Sequence, residues 1–371
     1  MAWKYIHKEL NNRDRIFGLD VLRAFAILII VYEHGNFLLE NVSPRLASLK
    51  IVDGVDLFFV LSGFLIGNLL LQRLTAENKV TFKVVKSFLI RRWFRTLPNY
   101  YLFLLLNIIL VGLHLTPGTI EKHLMTFFVF MQNLWKPYDF LYWESWSLSV
   151  EEWFYLLFPF SLLTLWTIFR RNIKWIFIFT AFLFIIFSTL LRFNAQLLGH
   201  DNYPGWDLFI RKIVLMRLDS LGFGLCACWI ATYYNVLWKR CANFCFIIGA
   251  FIFGGIMGIS HTHLQFYQTW YFSLSGIAAM MWLPLAEQWK QPLSGLGKIW
   301  TFISLISYSL YLINHGIVAS LIKHNSDYGN HPFLFYVIYL ASSIGLSAFI
   351  FNYFEKPITN LRDKFNTTKT K

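Results

Sequence analysis

The sequence predicts an all-α, polytopic membrane helical bundle of about ten transmembrane helices. Three observations carry that expectation. Of 371 residues, 57% are hydrophobic and 14% charged, where soluble domains carry roughly 25% charged residues. Mean hydropathy is +0.50. Residues 241–286, 299–322 and 328–354 contain no Asp, Glu, Lys or Arg, and each run holds one or two of the roughly 20-residue stretches that cross a bilayer. Finally, Lys and Arg are distributed unequally between alternate loops, 23 on one side and 8 on the other. A disordered chain, a disulfide-stapled secreted module and an ordinary cytosolic enzyme are excluded. The net charge of +13 is assigned to cytoplasmic loops facing anionic lipid headgroups, not to nucleic acid.

The elements follow in order. The first span, 18–39, carries Arg23 and no small-residue cleavage site follows its apolar core, so it is a retained span, not a removed signal peptide. The second is 54–73. Between them and the third, residues 79–92 alternate Val80, Phe82, Val84, Val85, Phe88 and Leu89 with Lys83, Lys86 and Arg91, which suits an amphipathic helix on the inner surface. The third span is 95–113. The apolar piece 123–135 is short and ends in Gln132-Asn133, so it is re-entrant or interfacial. Further spans are expected at 147–169, 174–195, 211–233, 243–260, 267–286, 299–322 and 332–354. The basic bias puts both termini in the cytoplasm. The chain forms one integral membrane domain over 1–371, with a core at 14–358, a polar tail at 359–371 and no fused soluble domain. Cys226, Cys228, Cys241 and Cys245 are read as packing residues, and His261 and His263 lack a third ligand, so no metal is expected.

Ionisable groups within a bilayer are costly, roughly 2.5–3.5 kcal/mol each at mid-span on insertion scales, so their depth is informative. Arg23 and His34, eleven residues apart, share one helix face and are separated by roughly 16 Å of rise. His34, Asp56, Glu151, Glu152, Arg217, Asp219 and His315 all fall toward the outer side. That layer is either an acid–base centre or an ion-pair network bracing the bundle. On the inner side, Arg92 and Arg95 share a helix face, either snorkelling to lipid headgroups or clamping phosphate. The two layers describe a tube for a ligand with a charged head and a long thin arm, a shape coenzyme A has. Trp143, Trp146 and Trp206 form an interfacial belt or a stacking surface for sugar rings.

These residues resemble the acyltransferase type 3 family of integral membrane O-acyltransferases. Gly18-Leu19-Asp20-Val21-Leu22-Arg23 followed by His34 resembles its Arg-ten-residues-His signature, and Asp56-Leu57-Phe58-Phe59-Val60-Leu61-Ser62-Gly63-Phe64-Leu65 its second-span motif. Arg92-Trp93-Phe94-Arg95 with Pro98 is similar to its Arg-x-x-Arg element, and Trp146-Ser147-Leu148-Ser149-Val150-Glu151-Glu152-Trp153-Phe154-Tyr155 to its fourth-span block, with Trp153 in place of Gln. Arg217-Leu218-Asp219-Ser220-Leu221-Gly222-Phe223-Gly224 and Phe354-Glu355-Lys356-Pro357 also fit. In Ser307-Tyr308-Ser309-Leu310-Tyr311-Leu312 the family often has His where Asn314 stands, and here His315 follows it. The resemblance implies transfer of an acyl group, usually acetyl, from cytoplasmic acyl-CoA to a hydroxyl of a cell-surface sugar. The acceptor would be lipopolysaccharide O-antigen, another envelope glycan or a lipid-linked sugar, and the location the bacterial inner membrane.

That chemistry needs a base for the sugar hydroxyl and donors facing the oxyanion. His34 suits the base because imidazole titrates near neutrality. Glu151 is the first expectation for its carboxylate partner by depth, then Glu152 and Asp56, whereas Glu33 points elsewhere. Arg217 pairs with Asp219 or stabilises the oxyanion. Arg92 and Arg95, with Arg23, bind the phosphates of acetyl-CoA. Direct attack and an acyl-histidine route both remain open, as do the monomer and a homo-oligomer. The rival reading is a transporter or flippase for an anionic glycolipid or metabolite, although no inverted repeat of the kind such proteins carry is evident.

Overall fold

A computed structural model describes residues 3–361 apart from 13, 41, 50–51, 121–122, 138–140, 171, 198–202, 260–262, 293–294 and 296. The polar tail beyond 361 and His261 lie outside the described residues. The fold is an all-α polytopic membrane bundle, without a β-strand among the described residues. Its main helices are α1 (Phe17–His34), α2 (Gly54–Glu77), α3 (Phe82–Gly112), α4 (Ser145–Phe169), α5 (Ile173–Leu197), α6 (Leu218–Tyr233), α7 (Ala242–Gly258), α8 (Tyr271–Gln288), α9 (Gly297–Ile313) and α10 (Pro332–Ile350). Helical structure continues beyond α9 to Asn325 and beyond α10 to Leu361. With those extensions, six helices among the described residues are long and apolar enough to cross a membrane.

Local chemistry accounts for the boundaries near the site. Asp53 caps α2, its Oδ1 accepting from the N–H groups of Val55 at 2.9 Å and Asp56 at 3.3 Å. Asn78, at φ 48°, ends that helix in the left-handed region. Thr81 then caps α3, which runs unbroken through Pro98. The separate amphipathic surface helix expected at 79–92 is therefore the first part of α3. Its apolar residues Val84, Val85, Phe88 and Leu89 are buried against the bundle.

The segment expected to begin the span at 211 does not join it. Residues Asp207–Arg211 form a π-helical turn and Val214–Met216 a 3-10 turn, and α6 starts only at Leu218. Asn133 explains this. Its side chain donates to the carbonyls of Lys212 at 2.7 Å and Trp146 at 3.1 Å, while its own carbonyl accepts from Val214 N–H at 3.0 Å. Backbone groups that would have closed helical turns are satisfied by this non-spanning segment, which carries the short helix Leu124–Phe128.

Helices α2 and α6 pack with their backbones in contact. A Cβ on Gly63 would lie 2.1 Å from the carbonyl oxygen of Leu221, and one on Gly224 2.1 Å from that of Val60. Only glycine permits this approach. It sets Asp56, at the start of α2, against Arg217, immediately before α6.

Candidate functional site

The buried charges divide into those that pair and those that line cavities. Arg217 and Asp56, both fully buried, form an ion pair, and Asp56 also accepts from the Ser220 hydroxyl at 3.1 Å. The Arg217 guanidinium lies 3.7 Å from the centroid of Phe272. Asp219 pairs with Arg192 at 2.6 Å, and Arg192 also donates to Ser273 at 2.9 Å. The expected Arg217–Asp219 pair is thus replaced by two pairs with other helices. Arg217 precedes the first residue of α6 and Asp219 lies in its first turn, and the two side chains face different neighbours.

A cavity of about 310 Å³ lies at the C-terminal end of α1. His34, Glu144, Arg211, Lys212, Tyr311 and His315 are among its lining residues. Nδ1 of His34 is 2.6 Å from Oδ1 of Asn314. The Asn314 amide nitrogen donates to the carbonyls of Leu310 at 2.7 Å and Tyr311 at 2.9 Å, which fixes the amide orientation. Oδ1 can only accept, so Nδ1 of His34 carries the proton and Nε2 is left as the basic nitrogen. The ring of His315 stands beside it, centroids 4.4 Å apart. Nδ1 of His315 is 3.6 Å from Oε1 of Glu144, which also accepts the Gly316 N–H. Glu144 sits in the turn ahead of α4, and burial pushes its carboxyl up to about 7.

Glu151, expected beside His34, lies elsewhere. It accepts from the hydroxyls of Ser62 at 2.7 Å and Tyr155 at 2.8 Å. Glu152 accepts from Thr96, and Asp56 is held by Arg217. None of the three orients the imidazole; Asn314 does. The reason is depth: Glu151 lies six residues along α4, about 9 Å below its first turn, and Glu144 occupies the level of His34. Glu33, expected to face away, lines the same cavity as His34.

A second, narrower cleft of about 100 Å³ carries the basic residues. Arg23, Arg92 and Arg95 line it together with Ser62, Glu151 and Tyr308. Arg23 hydrogen-bonds Ser304 at 3.5 Å and lies 3.8 Å from Asp20, which Arg15 also engages through two nitrogens. Arg92 is buried with its guanidinium against the rings of Phe88 and Tyr155, whereas Arg95 is exposed. Val55 and Tyr311 line both the cleft and the His34 cavity. At this neck the Tyr311 hydroxyl is 2.6 Å from that of Ser147. Three cations in one cavity and two imidazoles in the neighbouring one, with Val55 and Tyr311 as shared wall, suit anion binding beside proton transfer.

Glu144, Arg211, Lys212 and Asn314 were not singled out as members of the site from the sequence. The signal available was their position: each lies within a residue or two of a helix start or a π-helical turn, where side chains converge on a cavity. Among the described residues, no group of three or more His, Cys, Asp or Glu side chains is placed to hold a metal ion.

Comparison with known proteins defines the class. The family model described as "Acyltransferase domain" matches residues 16–352, and the chain belongs to that family. It is 30% identical over 214 residues to the Bacillus subtilis protein named "Putative peptidoglycan O-acetyltransferase YrhL", covering 54% of this chain and 31% of that one. Over 219 residues it is 32% identical to "Putative O-acetyltransferase SACOL0978" of Staphylococcus aureus strain COL, covering 53% and 33%. To the "Peptidoglycan O-acetyltransferase OatA" of Listeria monocytogenes it is 29% identical over 166 residues, covering 41% and 25%. The matched region thus spans a third or less of each of these relatives. No solved structure matches the chain.

Proposed function

We propose that the protein is a membrane O-acetyltransferase that moves an acetyl group from cytoplasmic acetyl-CoA to a hydroxyl of an envelope glycan. In this reading it lies in the bacterial inner membrane with both termini in the cytoplasm. The observation that supports it most is the pair of cavities meeting at Val55 and Tyr311, cationic at one end and imidazole-bearing at the other. Arg23, Arg92 and Arg95 hold the phosphates of the donor, and its thin arm reaches along the cleft toward His34.

The acceptor hydroxyl attacks the thioester carbonyl while Nε2 of His34 takes its proton. Asn314 Oδ1 holds the Nδ1–H and strengthens its bond as the ring becomes cationic. Arg211 and Lys212 face the same cavity, where negative charge develops on the carbonyl oxygen. Collapse breaks the C–S bond; the thiolate leaves with the proton from His34, giving the sugar ester and free coenzyme A. The names of the Bacillus subtilis and Listeria monocytogenes relatives make peptidoglycan, ahead of lipopolysaccharide, the acceptor to assay first.

The test uses the full chain in lipid nanodiscs with acetyl-CoA and soluble peptidoglycan fragments, following thiol release and ester formation. His34→Ala is expected to lower transfer by roughly 10²–10⁴-fold with acetyl-CoA affinity retained. Arg92→Ala combined with Arg95→Ala weakens acetyl-CoA binding more than acceptor binding. Transfer unchanged in His34→Ala, or donor affinity unchanged in the double variant, overturns the corresponding assignment.

A further inference from the structure

A third cavity, of about 480 Å³, opens beside the His34 cavity and shares Glu33 and Arg211 with it. It lies between the residues leading into α2, the π-helical turn at Asp207–Arg211, and the facing ends of α7 and α8. Its size is that of a small-ligand pocket. Two kinds of lining residue stand out. Trp206, Tyr267 and Tyr271 form an aromatic wall, with Trp206 packed edge-on to both tyrosines at centroid distances of 5.6 and 5.9 Å. Glu33, Asp53 and Arg211 supply charged hydrogen-bonding groups.

The polar groups are in unequal states. Asp53 is engaged as the cap of α2 and by Arg211 at 3.3 Å. Arg211 is held by Asp53 and by Asp207 at 3.2 Å. Glu33 has no ion pair or hydrogen bond through its carboxylate among the described residues, though it faces both cavities and adjoins His34 in sequence. An anchored aromatic wall, a fixed guanidinium and a free carboxylate form an amphipathic surface. Rings with apolar faces and hydroxyl-bearing edges match it: C–H faces lie on aromatic rings, while carboxylate oxygens accept from vicinal hydroxyls. A lipid tail leaves the carboxylate unused, and a small anion leaves the aromatic wall unused.

We infer that this cavity is the acceptor subsite and that it holds a pyranose unit of a glycan, with Glu33 and Arg211 passing the reactive sugar across into the His34 cavity. The inference rests on the acyltransferase reading above for its direction of transfer, but the site itself is a claim about sugar binding. Glu33 accepts from the acceptor's hydroxyls, Tyr271 presents a ring face and a hydroxyl, and Asp53 and Asp207 keep Arg211 in place.

The experiment separates the two readings by measuring binding without turnover. The full chain in lipid nanodiscs is titrated with N-acetylglucosamine–N-acetylmuramic acid disaccharide, and in a second arm with chitobiose, using saturation-transfer NMR. Acetyl-CoA binding is measured in parallel. Glu33→Gln weakens a charge-assisted bond and is expected to lower disaccharide affinity by roughly tenfold or more. Ser48→Trp places an indole in the cavity from an exposed position and is expected to abolish binding. Both variants should melt like the unmodified protein and bind acetyl-CoA as it does. Disaccharide affinity unchanged in folded Glu33→Gln and Ser48→Trp proteins overturns the subsite, as does failure of both sugars to bind the unmodified protein. Sugar binding that Ser48→Trp abolishes, in a protein that neither binds acetyl-CoA nor transfers acetyl, leaves the subsite standing and overturns the acyltransferase reading.

Discussion

Replacing Asn314 by Leu tests the assignment of His34 as base through a residue that never touches substrate. The side chain is buried, and its Oδ1 accepts the Nδ1–H of His34 at 2.6 Å. In the resting enzyme this is a neutral hydrogen bond, worth about 1 kcal/mol net. Once the ring has taken the acceptor's proton it is charge-assisted, worth about 1.5–3 kcal/mol. Only the difference, roughly 0.5–2 kcal/mol, acts on the rate, because the weaker part is present in the ground state as well. That difference is about 2- to 30-fold in kcat. A ring released to its other tautomer directs its proton instead of its lone pair at the acceptor, adding to the loss. Asn314→Leu should therefore lower kcat by at least several-fold, leave the KM for acetyl-CoA unchanged, and melt at a lower temperature because the carbonyls of Leu310 and Tyr311 lose their donor. The assay is thiol release from acetyl-CoA with acceptor present, alongside a thermal melt. A folded Asn314→Leu protein keeping kcat within about twofold of the parent would refute the tautomer argument.

Two further outcomes follow from the charges. Asp56→Asn leaves Arg217 cationic in a fully buried site, and losing one partner of such a pair costs about 3–5 kcal/mol; the variant should melt well below the parent, and a melt within a degree or two would show that Arg217 is compensated elsewhere. Glu144 is raised from its usual 4.5 to about 7 by burial, so the folded state binds its proton more tightly than the unfolded one. Its stabilising contribution is fully present below about pH 4.5 and lost as pH rises through about 7, on the order of 3 kcal/mol in all. Glu144→Gln should remove that part of the slope between pH 5 and 8 in thermal melts; an unchanged slope would show that another group carries it.

Length, hydropathy and charge spacing made the bundle legible because each is a local property of the chain. A helix such as Ile173–Leu197 declares itself through its own composition. The same holds for Arg23 and His34, since one unbroken helix puts them on one face about 16 Å apart. Pairing between helices is not local. Arg192 is fully buried against Asp219, and nothing in the residues around either predicts the other. Depth estimates also rest on where a span begins. Moving the start of the sixth span from 211 to Leu218 took Arg211 and Lys212 out of a helix and into the wall of the His34 cavity. The amphipathic pattern at 79–92 was real, but its apolar face meets other helices and not a lipid surface, a distinction that pattern alone does not carry.

The neutral partner of His34 has a physical logic that a carboxylate would not share. A carboxylate placed against the ring in this buried setting needs its own compensating cation, and an uncompensated buried charge is costly. Asn314 supplies the same acceptor geometry without charge, and its amide hydrogens are consumed by two carbonyls in the last turn of α9, so it cannot turn over. The charge that appears on the imidazole during transfer then has to be balanced at longer range. Glu144 is the carboxyl placed to do so, next to His315 and bonded by the Gly316 N–H. On the proposed mechanism, a proton moving from acceptor to His34 creates its positive charge in a cavity that holds the Glu144 carboxyl beside Arg211 and Lys212, while Arg217 and Arg192 are paired with Asp56 and Asp219.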